Sequence, residues 1–198
     1  MLRVLEIGCG DSPGPFFEGA SKHFIADVNS QAVLEAVRRE PCFTPLPRGD
    51  ARQLPLPDSS LDIVLARNIF GDPALGLDLA NRENFIREEV DIAQKLGITA
   101  QKFYRKIVDG FFYDKKSLIM HEIGRVLVPE GRLLAVEQKT PHVARDFFAN
   151  FAIDSTLECS FRVKETSDLS LYTPLTYAVA HQSDERTTMW VATKNRPS

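Results

Sequence analysis

Cysteine is scarce in this chain: there are three in 198 residues, Cys9, Cys42 and Cys159, with no CxxC pair. A disulfide-held scaffold uses more of them, and a structural zinc site uses closer spacing, so no metal site is expected. Long apolar runs are also missing. None approaches the roughly 18 residues that a membrane-crossing helix requires. Met1-Leu2-Arg3-Val4-Leu5 leads straight into acid and glycine, without the basic start and apolar stretch of a secretory leader. The expected location is therefore the cytoplasm, with no membrane partner. An excess of positive charge is absent too: 24 Lys plus Arg face 27 Asp plus Glu, a formal net charge of -3. That balance argues against a broad nucleic-acid surface, which works by neutralising phosphates.

What is present is an ordinary globular mixture, 43% hydrophobic and 26% charged. It predicts one domain over residues 1–198. Apolar runs at 2–7, 23–26, 61–66 and 132–136 read as buried strands. A weaker strand over 42–49 contains Pro45 and Pro47, which lack amide hydrogens and belong at a sheet edge. Asn29 or Ser30 caps a helix carrying Val33, Leu34 and Val37, and Asp114 caps another through Leu127. Between them, residues 71–113 hold helical patterns and no clear strand, so they read as a helical insertion. Two late strands are expected near 157–164 and 186–193, after a helix near 142–152. This alternation predicts a three-layer α/β sandwich.

The chemistry-bearing signal lies at the strand ends. Glu6-Ile7-Gly8-Cys9-Gly10 closes the first strand, and ligands in open α/β sheets bind beyond such ends. It is not a phosphate-binding P-loop, since no GKS or GKT follows. It is not Gly-x-Gly-x-x-Gly either, because Gly14 falls one residue late. Asp27 ends the second strand, where a carboxylate can accept from both hydroxyls of a ribose; a helix-capping role is the bland alternative. Gly49-Asp50-Ala51 supplies a third strand end, suited to an adenine amino group and ring nitrogen, or else to a solvent-facing turn. Ala66-Arg67-Asn68-Ile69-Phe70 ends the fourth strand, where Asn68 can make a polar contact.

VLEIGCG, the acid in FIADV, GDA, LPLPDSSLDIVLARNIF and IGRVLVPEGRLLAVE together resemble the ordered motifs of the class I S-adenosylmethionine-dependent methyltransferases, in the manner of type 11. The resemblance spans about residues 2 to 137. It implies a Rossmann-like three-layer sandwich whose seven-stranded, mostly parallel sheet has order 3-2-1-4-5-7-6 with strand 7 antiparallel. It implies S-adenosyl-L-methionine as cofactor. Glu6, Gly8, Cys9 and Gly10 would shape its loop, Asp27 with Val28 beside it would bind ribose, and Asp50 with Ala51 would address adenine. Asn68 and Ile69 would line the methionine or substrate side. The chain departs from the pattern after Gly10, where Ser12 and then Pro13-Gly14-Pro15 replace a further glycine. The helix expected there should be short or displaced.

The implied reaction moves the sulfonium methyl to a nucleophile and needs alignment and exclusion of water more than a strong base. Asp72 is the expected catalytic acid on the substrate side, with a Gly-Asp-Pro turn as its alternative. His121 and Glu137 are weaker candidates, against packing for the first and a cap or salt bridge for the second. Phe103, Tyr104, Phe111, Phe112 and Tyr113 of the insertion could wall a substrate site or simply pack helices. Mixed charges along the insertion favour a small-molecule substrate over nucleic acid. A non-catalytic protein of the same fold, binding a protein partner as regulator or inhibitor, is the competing class.

Overall fold

The computed structural model describes residues 2–10, 12–14, 19–47, 49–71, 95, 109–137, 144–145, 147–149, 161–166 and 188–196, with the backbone alone for 109–114. Its strands are β1 (Leu2–Ile7), β2 (Ala20–Ala26), β3 (Thr44–Pro45), β4 (Leu61–Arg67), β5 (Leu127–Glu137), β6 (Phe161–Thr166) and β7 (Thr188–Lys194). They form one seven-stranded sheet in the order β3-β2-β1-β4-β5-β7-β6. Strand β7 pairs antiparallel with both β5 and β6, and the other pairings are parallel. This is the order and direction expected from the motifs.

Boundaries differ where polar residues pair. Strand β2 starts at Ala20 rather than His23, because Arg3 and Leu2 of β1 provide partners for Lys22 and Ala20. The edge strand shrinks to Thr44–Pro45, consistent with two prolines that cannot donate to a ladder. Strand β5 begins at Leu127, five residues before the expected start. Its pairing with β4 jumps from Leu61↔Leu127 to Ile63↔Arg132, leaving residues 128–131 opposite Asp62. Glu130 takes a φ of 64° in that bulge, so the expected Pro-Glu-Gly turn sits inside the strand.

Helix α1 (Ser30–Arg39) is capped by Asn29, whose Oδ1 accepts from the Ala32 N–H at 3.3 Å. Arg38 and Arg39 in its last turn complement the helix dipole. Helix α2 (Asp109–Val126) starts before the expected Asp114, so residues 111–113 belong to its first turns. Among the described residues no helix is long and apolar enough to cross a membrane.

Alternation in the strands splits the core between two faces. Leu5 and Ile7 of β1, Val64 and Ala66 of β4, and Leu133 and Ala135 of β5 join Ile119, Met120 and Ile123 of α2 in the largest cluster. Phe70, Phe147, Phe148 and Trp190 continue it, with Phe148 and Trp190 stacked 5.5 Å apart. On the other face Ile25 packs with Val33 and Ala36 of α1 and with Phe43 and Cys9. The same alternation sends the fully buried Glu6 to this second face.

Candidate functional site

Strands β1, β2, β4 and β5 run in one direction, so their carboxyl ends share one edge of the sheet. The turn after β1 is tied to the end of β2 by the Gly8 N–H, which donates to the Ala26 carbonyl at 3.0 Å. Gly8 has a φ of +71°, and a Cβ there would lie 2.9 Å from Ile69 Cδ1 and 3.0 Å from the Arg67 carbonyl. Both the backbone angle and the space exclude a side chain. Gly10 also has a positive φ, +56°, and among the described residues nothing lies within 4 Å of where its Cβ would stand. At Gly10 the turn therefore presents bare backbone that no other described side chain crowds.

Asp27 stands beside that turn, half-buried at the end of β2. Its Oδ2 accepts from the Gly10 N–H at 2.9 Å and its Oδ1 from the Asn29 N–H at 2.8 Å. A carboxylate has about four acceptor positions, so both oxygens retain capacity for further donors. Gly49 lies against the same residue: a Cβ on it would fall 1.6 Å from the Asp27 carbonyl oxygen. The ends of β1 and β2 and the Gly49-Asp50-Ala51 segment are thus gathered at one place, and Ile69 closes on Gly8 from the end of β4.

The remaining residues singled out from the motifs take varied positions. Val28 is 76% exposed next to Asp27. Ala51 is buried, with Leu54 beneath it in the same core cluster. Asp50 is occupied by Arg52, which donates from its own backbone N–H at 3.0 Å and from Nη2 at 2.7 Å. That pairing holds the Asp50 carboxyl below its usual range. Asn68 adopts a φ of 52° and donates its N–H to the Val136 carbonyl at 2.8 Å. The Cys9 thiol packs into the α1 cluster, and burial pushes it up to about 12. Asp72, Phe103 and Tyr104 lie outside the described residues, and so do the side chains of Phe111, Phe112 and Tyr113.

Two acids accept hydrogen bonds from backbone amides. Glu6 accepts from the Gly14 N–H at 3.1 and 2.9 Å and from Arg67 Nε at 2.6 Å. Its burial raises the carboxyl's pKa, and Arg67 opposes that rise. Glu137, 1% exposed, accepts from the Phe70 N–H at 2.7 Å and also from the N–H groups of Ile69 and Gly71. Burial pushes it up to about 7, against the nearby buried Lys116. The structure thus realises the capping alternative for Glu137. His121 is half-buried on α2.

Sequence reasoning missed Arg67, Glu122 and Arg125. Arg67 ends a strand that is apolar from Ile63 to Ala66, and a cation in that position needs an acid nearby. The available signal was Glu6, an equally isolated acid in β1. Glu122 Oε1 accepts from the Leu54 N–H at 2.6 Å, and Arg125 donates to the carbonyls of Leu54 at 3.1 Å and Leu56 at 2.9 Å. These two side chains fasten the segment after Asp50 to α2.

Solved structures give the wider likeness. The chain resembles, over 99% of its length, Haemonchus contortus phosphoethanolamine N-methyltransferase 1 in complex with phosphoethanolamine and S-adenosylhomocysteine; identity is 14%, TM-score 0.59, and 39% of that chain is covered. It resembles a chain of the complex between the Haloferax volcanii Trm112 methyltransferase activator and its methyltransferase, at 13% identity and TM-score 0.53, covering 98% of this chain and 83% of that one. A SAM-dependent methyltransferase from Aquifex aeolicus gives 14% identity and TM-score 0.50, with 98% and 82% covered. No protein-family model and no curated protein sequence matches the chain. The likeness defines the architecture: this chain has the class I methyltransferase fold.

Proposed function

We propose that this chain binds S-adenosyl-L-methionine and transfers its methyl group to a small-molecule acceptor. One observation carries the reading: the half-buried Asp27 carboxylate accepts from the Gly10 amide, in a glycine turn that no other described residue crowds at Gly10. A nucleoside needs that combination, an acceptor for paired hydroxyls and backbone that permits close approach.

The residues present fit such a cofactor. Asp27 would accept from the ribose hydroxyls with its remaining lone pairs, and exposed Val28 would lie along the base. Asp50 and the Ala51 N–H would address the adenine edge once Arg52 yields its place. Gly8, Cys9 and Gly10 would offer backbone to the methionine portion, with Asn68 and Ile69 on its far side and Glu6 bracing the turn from beneath. When bound, the cofactor's sulfonium supplies an activated methyl and a good leaving group. The chain's own task is then to fix the acceptor in line and keep water out. Asp72, following β4, is the proposed substrate-side acid.

Titration calorimetry with S-adenosylmethionine and S-adenosylhomocysteine tests the proposal. Both should bind the folded chain. Asp27→Ala should weaken binding by about 1.5–3 kcal/mol, roughly ten- to hundredfold, with an unchanged circular-dichroism spectrum. Equal affinity in wild type and variant would remove Asp27 from the site. The Asp50–Arg52 pair favours a second reading, a non-catalytic protein of this fold that acts through a protein partner. The Haloferax complex, which contains an activator, makes such a partner worth testing. Absence of binding to either nucleoside would move the conclusion to that reading.

A further inference from the structure

We propose that Arg67 is a positioning residue for the cofactor pocket: it sets the plane of the Cys9–Gly10 peptide and, through that peptide, the Asp27 carboxylate. The inference deepens the reading above and takes its cofactor from it. Glu6 pairs in register with Leu65, so Arg67, two residues further along β4, emerges on the same face and reaches past Glu6 toward the turn. Its side chain is 16% exposed, and the guanidinium forks between an acid and backbone. Nε donates to Glu6 Oε1 at 2.6 Å, while Nη2 donates to the Cys9 carbonyl at 3.4 Å and to the Ser12 carbonyl.

The Cys9–Gly10 peptide is trans, so its carbonyl and its N–H point in opposite directions. The carbonyl meets Arg67, and the N–H meets Asp27 Oδ2 at 2.9 Å. One peptide group therefore stands between a cation and an anion, with a charge-assisted bond at each end. Rotating it would break both. Residues 12–14 are not helical, and Glu6 and Arg67 hold them instead, through the Gly14 N–H and the Ser12 carbonyl. The buried Glu6 and the part-buried Arg67 together brace this stretch of backbone. A lysine could supply the charge but not the planar fork that serves Glu6 and two carbonyls together.

The test compares Arg67→Met and Arg67→Lys with wild type by amide NMR and by calorimetry with S-adenosylhomocysteine. In Arg67→Met the Gly10 amide resonance should move toward the position it takes in Asp27→Asn. The Gly8 amide, bonded to the Ala26 carbonyl, should stay in place. Affinity should fall by about tenfold or more, and Arg67→Lys should recover only part of either effect. If Arg67→Met fails to fold because Glu6 is left buried and unpaired, Glu6→Gln/Arg67→Met removes both charges and carries the same comparison. An unmoved Gly10 amide, or full recovery by Arg67→Lys, overturns the proposal. A wild-type chain that does not bind S-adenosylhomocysteine overturns the methyltransferase reading instead, and the amide comparison still decides the role of Arg67.

Discussion

Burial moves two titratable groups of this protein in opposite directions. His23, fully buried in β2 with its ring edge against Phe43, is pushed down to about 4 by loss of solvent. It is neutral in the folded chain, and the stability this confers is lost as pH falls from 6.5 toward 4. Glu137 has the reverse sign. Its pKa rises from 4.5 to about 7, so the folded state holds the proton more tightly. That contribution is fully present below about pH 4.5 and is lost as pH rises through 7. Glu137→Gln removes it. The stability of wild type minus that of Glu137→Gln, from urea unfolding, should fall by on the order of 3 kcal/mol between pH 4.5 and 7.5. Taking the difference cancels His23 and Glu6, and a flat difference would contradict the assignment. The three backbone N–H groups held by Glu137 belong to Ile69, Phe70 and Gly71, which follow the end of β4. No pattern in the sequence distinguishes such an anchor from a catalytic acid at a strand end. Only the fold shows which backbone amides reach it.

At the scale of elements, the strands were readable because they are buried. Near-continuous apolar runs mark β1, β4 and β5, and the prolines of β3 announce an edge. Their boundaries were less readable, because β2 extends over Ala20-Ser21-Lys22 by pairing with β1 rather than by any apolar signal. The junction of α2 with the segment after Asp50 was invisible in the sequence, since Glu122 and Leu54 stand far apart along the chain. There the N–H groups of Ser59 and Ser60 cap the carbonyls of Arg125 and Val126 at 2.9 and 2.7 Å. Arg125 adds bonds to Glu122, Asp58 and two carbonyls. Arg125→Met keeps the stem but releases those partners, leaving part-buried carbonyls and Glu122 short of donors. It should cost about 2 kcal/mol in urea unfolding and speed exchange of the Leu54 amide more than that of Ile123. No change in either would show that the segment is held by its apolar contacts alone.

For the whole molecule, the order of motifs carries more information than any single motif. A glycine turn, an acid a strand later and a third polar strand end are each common. In this topology they become neighbours, because β1 lies between β2 and β4 and all three run the same way. The gathering of Gly8, Gly10, Asp27, Gly49 and Ile69 was therefore legible once the sheet order was expected. The pairing of Asp50 with Arg52 and the bracing by Glu6 and Arg67 were not, since both depend on side-chain geometry that no spacing encodes. The proposed function requires one crevice at the carboxyl edge of the sheet that accepts a nucleoside. The most direct measurement is a titration of the isotope-labelled chain with S-adenosylhomocysteine, followed by amide NMR. The amides of Gly8, Gly10, Val28, Ala51 and Ile69 should shift together and saturate at one concentration, while Val163 and Ala192 in the β6–β7 pair stay still. A saturating ligand that leaves Gly10 and Val28 unmoved, or moves only the β6–β7 pair, would contradict it.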